Sequence, residues 1–253
     1  MQARRKIAVA GATGRVGRHV VDVLESGGHD VVGMSRSLGV DVVGGDGLAE
    51  ALEGVGCVID VASWHSPDQQ AATDFFIASA RNLQEAGERA GGRRVVVVSI
   101  IGIDRFAAGY YAAKAAHDRA HLSGPIPVRV LRAAQFHEFV GPLAEWGRRD
   151  GVAYVPKMRT QLVAARTVAR ALAELELGPH GVRAVTLRTD AVPEAIPQFD
   201  GREALVEGIE KHTMLGRGPT LEDVGNVAAF VASDKARTMT AATANTSCGA
   251  LID

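Results

Sequence analysis

Short apolar runs alternate along this chain with longer stretches in which apolar residues recur every three or four positions. The short runs cover residues 7–10, 31–34, 42–43, 57–61, 94–99, 128–132 and 184–188, and read as strands. The longer stretches cover 19–26, 48–52, 67–90, 110–122, 165–176 and 221–233, and read as helices. Val95-Val96-Val97-Val98 does not alternate with polar residues, as expected of a strand covered by helices on both faces. Strand and helix in turn predict an α/β fold, a doubly wound parallel sheet with helices on both faces. Right-handed crossovers order its central strands 3-2-1-4-5-6, with any ligand beyond their carboxyl ends. Before the third long stretch, Ser66 is placed to cap, Pro67 to open the first turn and Gln69 to complete a capping box.

The residues at those carboxyl ends carry the chemistry. Gly11-Ala12-Thr13-Gly14-Arg15-Val16-Gly17 joins the first strand to the first helix. Without Cβ atoms the glycines let the backbone turn tightly and approach a pyrophosphate, and the helix N-terminus offers N–H groups and a positive dipole end. The turn therefore predicts a dinucleotide site. The second strand ends in Met34-Ser35-Arg36-Ser37. An acidic residue there would favour a free ribose 2′-hydroxyl, whereas Arg36 between two hydroxyls suits a 2′-phosphate, with Arg15 approaching from the other side. The expected cofactor is NADP(H), with NAD(H) as the alternative. Asp46 is expected at the adenine edge, and Ala62 and Ser63 beside the nucleotide.

Tyr110 and Lys114 lie four apart in a helical stretch and so share a face. A neighbouring ammonium would lower the phenol's pKa and make Tyr110 a proton donor or acceptor. Lys114 could also hold ribose hydroxyls, and Ser99, ending the buried valine strand, a substrate oxygen. Trp64, His65, Gln135, Phe136 and His137, with Phe139, suggest a pocket for an apolar or aromatic small molecule. The histidines read as lacking metal-ligand spacing, so no metal is expected.

The glycine turn, Val97-Val98-Ser99, Tyr110 to Lys114, and Arg132-Ala133-Ala134-Gln135-Phe136-His137-Glu138-Phe139 resemble the short-chain dehydrogenase/reductase superfamily in its atypical, NmrA-like branch. The resemblance implies a Rossmann fold, an NAD(P) cofactor, and Ser99, Tyr110 and Lys114 as the catalytic set. It runs through about residue 190. Ser99 and Tyr110 are closer in sequence than in the superfamily's main branch, and nucleotide sensors of the atypical branch typically lack the tyrosine that this chain retains. The tail, from Thr213 through Ala228-Ala229-Phe230-Val231 to a strand at 244–247, instead resembles the C-terminal end of the main branch, which supplies a last strand and part of an oligomer interface. Two units are therefore expected: 1–190, an NAD(P)-binding domain carrying the active site, and 191–253, a C-terminal extension. A homo-oligomer is expected from the second.

Composition narrows the partners. The 253 residues hold 28 Lys+Arg against 29 Asp+Glu, a net charge of −1 that argues against nucleic acid. No run is long enough to cross a membrane, and the two cysteines, Cys57 and Cys248, make no redox or metal motif, which suits the reducing cytoplasm. Three activities fit: an NADPH-dependent oxidoreductase acting on a carbonyl or hydroxyl, a non-catalytic NADP-binding regulator, and a non-redox isomerase or cyclase in the same pocket.

Overall fold

In the computed structural model, the described residues are 4–66, 68–154, 162–177, 184–189, 207, 211 and 242–246. Strands β1 (Lys6–Ala10), β2 (Asp30–Met34), β3 (Cys57–Asp60), β4 (Arg94–Ile100), β5 (Val128–Ala133), β8 (Ala184–Thr189) and β9 (Ala242–Thr246) form one sheet, ordered β2-β1-β3-β4-β5-β8-β9. All its pairings are parallel. After the short helix α5 (Val140–Trp146), the short strands β6 (Arg148–Arg149) and β7 (Val152–Ala153) form a separate antiparallel pair. The chain steps from β1 outward to β2, then crosses back to β3. The order therefore reverses between β1 and β3, where an open sheet forms a crevice beyond its carboxyl ends.

Side-chain alternation decides which helices cover which face. Ile7, Val9, Ile59, Val96 and Leu131 point to one side and pack with Val20 and Leu24 of α1 (Gly17–Ser26) and Val168 and Leu172 of α6 (Ala165–Leu177). Ala8, Ala10, Val58, Val95 and Val97 point to the other, against Leu48 of α2 (Leu48–Ala51) and Leu83 and Ala86 of α3 (Gln69–Arg89). On that same side α4 (Gly109–Leu122) packs against α3, with Ala113 beside Ala72 and Phe76. Covering both faces explains why the valine run carries no polar alternation. No helix among the described residues is long and apolar enough to cross a membrane.

At the amino-terminal ends of the strands, the last turn of α6 meets three arginines. Arg5 reaches the buried Glu176 carboxylate at 3.2 Å, while Arg94 donates to the Glu176 carbonyl and Arg129 to that of Leu175. Cations suit a helix C-terminus, where unpaired carbonyls and the dipole present negative charge.

Three local expectations are corrected. Residues 42–43 form no strand. Asp41 Oδ1 accepts the Val43 N–H at 2.8 Å, and Asn82 Nδ2 donates to the carbonyls of Val42 and Val43 at 3.1 and 2.7 Å. Side chains thus take the groups a ladder would have used, and β2 is left as the sheet edge, without the expected strand 3. The cap of α3 is Asp68, which accepts from the N–H groups of Gln70 and Ala71, while Ser66 Oγ accepts the Asp68 N–H one step earlier. The first helix begins at Gly17, inside the glycine turn. Strands stand at both expected places, the second at Ala242–Thr246 and so two residues earlier than expected, and β9 lies beside β8 in register from Val185↔Ala242 to Thr189↔Thr246. The expected helix 221–233 lies outside the described residues, as do Pro67 and Cys248. Cys57 is buried and free, and burial pushes its thiol pKa up.

Candidate active site

The glycine turn is built for close approach. Gly11 sits at φ +79°, and its N–H and that of Ala12 donate to the Met34 carbonyl at 2.9 and 3.3 Å, binding the turn to the end of β2. A Cβ on Gly11 would lie 2.8 Å from Ala62 Cα, and one on Gly17 would lie 2.0 Å from the Gly11 carbonyl oxygen. Those two glycines serve backbone packing, and Gly17 does not line the cleft. Gly14 does, with the exposed Thr13 and Arg15 and the buried Val16. No side chain caps α1 and no acidic residue stands in its first turn, so its N-terminus suits an anion.

Above the switch point lies a cavity of about 1130 Å³. It brings together Gly11, Thr13, Gly14, Arg15 and Val16 of the turn; Ser35, Arg36 and Ser37 after β2; Ala62, Ser63, Trp64 and His65 after β3; Ser99 of β4; Tyr110 and Lys114 of α4; and Gln135 and Phe136 after β5. Ser35 and Ser37 share a hydroxyl hydrogen bond of 3.0 Å beside the exposed Arg36. Besides Gly17, two expected residues stay outside the cavity. Asp46 is exposed behind it, and its carbonyl accepts the Asp41 N–H at 2.9 Å; the carboxylate lining this corner is Asp41. His137 is buried, its N–H donates to the Val163 carbonyl at 3.1 Å, and burial lowers its imidazole pKa. Glu138 likewise turns inward, accepting the Ala165 N–H that opens α6 at 2.9 Å. The Arg15 guanidinium lies over the Phe139 ring, 5.7 Å from the centroid.

Around Tyr110 the side chains pair differently from the expected set. Its Oη is 2.8 Å from Ser63 Oγ, and its ring stacks on His65 at 4.4 Å. Burial raises the phenol pKa, with the Ser63 hydrogen bond opposing, so Tyr110 keeps its proton; the expected lowering by Lys114 is absent. Ser99 is buried and donates to Asp118 Oδ2 at 2.6 Å. The hydroxyl in contact with Tyr110 is that of Ser63, from the end of β3. Lys114 is 3 % exposed, with Nζ 4.7 Å from the Phe76 ring centroid and 2.9 Å from His117 Nδ1. Burial lowers its pKa, while Asp60 and Asp118 oppose that.

Behind Lys114, His117 Nε2 and His121 Nε2 lie 2.8 and 2.9 Å from Asp60 Oδ2, and Asp60 Oδ1 accepts the Ala62 N–H at 2.9 Å. His117 and His121 do have metal-ligand spacing, four apart on α4, and with Asp60 their donor atoms lie within 4.8 Å of one another. Each donor atom is already paired within the triad, and the Lys114 ammonium abuts His117. That arrangement is one of hydrogen bonding. The spacing was legible in the sequence; Asp60, inside an apolar strand, was not.

Aromatic side chains gather beside Tyr110. Tyr111, next to Tyr110, accepts from Gln135 Nε2 at 2.9 Å and stacks on Phe106 at 4.8 Å. Trp64 contacts Phe75, and His65 contacts Phe139 and Trp146. Burial and the Arg15 charge lower the His65 pKa.

Comparisons with known proteins agree with this geometry. Residues 11–123 match a family described as NAD(P)H-binding, and residues 146–250 match one described as enoyl-(acyl carrier protein) reductase. The search of curated proteins returned no significant match. Among solved structures, a short-chain dehydrogenase/reductase superfamily protein from Agrobacterium tumefaciens with bound NAD is 20% identical, over 83% of each chain, with a TM-score of 0.55. The Bordetella bronchiseptica enzyme WbmG in complex with NAD is 16% identical over 89% of this chain and 77% of its own, at a TM-score of 0.55. A UDP-N-acetylglucosamine 4-epimerase from Bacillus cereus is 20% identical over 67% and 70%, at 0.53. At these identities the likeness is one of fold. The glycine turn thus falls within residues that match an NAD(P)H-binding family, and the doubly wound parallel sheet is a fold this chain shares with a short-chain dehydrogenase/reductase superfamily protein.

Proposed function

We propose that this protein is an NADPH-dependent oxidoreductase acting on a carbonyl or hydroxyl carbon of a small apolar or aromatic molecule, with Tyr110 as the proton donor. The observation that carries the reading is Tyr110 itself: a protonated phenol on the cavity wall, bonded to Ser63, on the same helix as a buried lysine. The residues fit a dinucleotide, because Gly11 holds the turn within contact of Ala62 and the uncapped α1 N-terminus faces the same space. NADPH, when bound, supplies a hydride. Arg36 with Ser35 and Ser37 would take the 2′-phosphate, and Asp41, lining the same corner, would meet the adenine end.

In the direction of reduction, Tyr110 donates its proton to the substrate oxygen as carbon gains the hydride. Ser63 Oγ, in contact with that phenol, steadies the oxygen and the phenolate. Lys114 supplies positive charge from below. The aromatic wall of Trp64, His65, Phe139 and Tyr111 supports an apolar or aromatic substrate.

The purified protein is expected to oxidise NADPH in the presence of at least one member of a panel of aliphatic and aromatic ketones and aldehydes. Tyr110→Phe should lower that rate roughly a hundredfold or more, with NADPH affinity unchanged. A fully active Tyr110→Phe variant would remove Tyr110 from the mechanism. NADPH bound tightly but oxidised with no carbonyl would favour the non-catalytic regulator.

A further inference from the structure

Four buried polar side chains run from the foot of the cavity into the layer between the sheet and α4. Lys114, His117, Asp60 and His121 are each at most 3 % exposed. Burying an ammonium, two imidazoles and a carboxylate costs free energy that apolar side chains of similar volume would not. Their hydrogen bonds fix one arrangement of protons. The ionised Asp60 only accepts, so both histidines present Nε2–H to it. Nδ1 of His117 is then a bare lone pair, and the group facing it at 2.9 Å is the Lys114 ammonium, which only donates. Burial and the Lys114 charge hold the His117 imidazole neutral, its pKa pushed down to about 3, with Asp60 opposing.

We propose that His117, backed by Asp60, is the positioning residue for Lys114: it takes one ammonium proton and leaves the other two directed at the nucleotide and Tyr110. The proposal rests on the reading of the cavity as a nucleotide site. A competing acceptor gives His117 something to prevent. Asp118, one turn beyond Lys114 on α4, holds Ser99 and lies 3.9 Å from Arg132, but its Oδ1 is buried with no hydrogen-bond partner among the described residues. Without His117, the ammonium would be drawn towards the Asp118 carboxylate, whose charge already acts on it. Asp60 also binds the Ala62 N–H, and Ala62 Cα is the atom against which Gly11 packs. One carboxylate therefore sets both the lysine and the floor under the glycine turn.

The test uses the full chain in two arms. In the first, nitrogen NMR of 15N-histidine-labelled protein should show His117 as the neutral Nε2–H tautomer throughout the neutral pH range. Lys114→Met should shift its Nδ1 resonance more than that of any other histidine. A Nδ1–H tautomer or an imidazolium at His117 overturns the proposal. In the second, NADPH affinity is read from nucleotide fluorescence. His117→Leu should weaken it roughly tenfold or more, the scale of one hydrogen bond to a charged group. His117→Gln, which returns an acceptor oxygen, should recover part of the loss, and His117→Leu should add nothing in a Lys114→Met background. Wild-type affinity in a folded His117→Leu protein, or additive losses in the double variant, overturns it. Should the native protein bind no NADPH, the nucleotide reading fails, and the tautomer still decides whether His117 holds Lys114. Coupling without carbonyl turnover would refute the oxidoreductase reading alone.

Discussion

Individual side chains were legible where their partners are near in sequence. Tyr110 and Lys114 share a helix face by spacing alone, and Ser35, Arg36 and Ser37 are adjacent. Partners far along the chain were not legible. Ser99 is claimed by Asp118, 19 residues later, and His117 and His121 by Asp60, 57 and 61 residues earlier. A charged residue inside the run 57–61 looks like a strand interruption until the fold sets α4 over it. The Tyr111 contact with Gln135 was hidden for a related reason, because it depends on where β5 ends. The nucleotide preference is decided at this scale. Arg36 is exposed at the corner of the cavity, so its replacement should leave the fold alone. Calorimetry should find NADPH the tighter ligand of the native protein by about tenfold, the scale of a charge-assisted contact with phosphate. Arg36→Asp should reverse the order, since a carboxylate repels the 2′-phosphate and accepts from a free 2′-hydroxyl. Tighter NADH binding by the native protein would remove Arg36 from phosphate recognition.

Elements were read best where many residues repeat one pattern. The valine strand and the long helices α3 and α4 follow from periodicity, because burial on one or both faces leaves an unambiguous trace. Short elements gave way to local bonding: residues 42–43 have only two β-branched side chains before Gly44 and Gly45, and Asn82 on α3 competes for their carbonyls. The start of α3 shifted because Asp68 offers a charged acceptor nearer to the first free N–H groups than Ser66. The join of β1 to α1 is the least forgiving element in the molecule. Gly17→Ala would place a methyl group 2.0 Å from the Gly11 carbonyl oxygen, which must move the turn. NADPH binding should be lost and the melting temperature should fall by several degrees. Gly28→Ala is the control. Its φ of +81° makes alanine strained, but nothing lies within 4 Å, so it should cost only about 1 kcal/mol and spare the affinity. Equal effects of the two variants on nucleotide affinity would contradict the packing role of Gly17.

For the whole molecule, the sequence indicated the parallel, doubly wound class, but it left two candidates for the last strand. Both are used, because β9 extends the sheet beyond β8. A chain ending at residue 200 would leave β8 with an unpaired edge, which tends to associate with other edges. It should therefore precipitate, or, if the expected homo-oligomer forms through the tail, lose assembly by light scattering. A soluble truncated protein with unchanged mass per particle and unchanged NADPH affinity would make the tail dispensable to both. The three arginines gathered on the end of α6 have a different consequence. They tie β1, β4 and β5 together at one end of the sheet, while the proposed chemistry occupies loops at the other. What anchors the molecule and what it acts upon thus occupy opposite poles. The rim residues Trp64, Tyr111 and Gln135 can therefore vary without disturbing the anchor, so a lineage could exchange substrates by rewriting one rim while inheriting the same foundation.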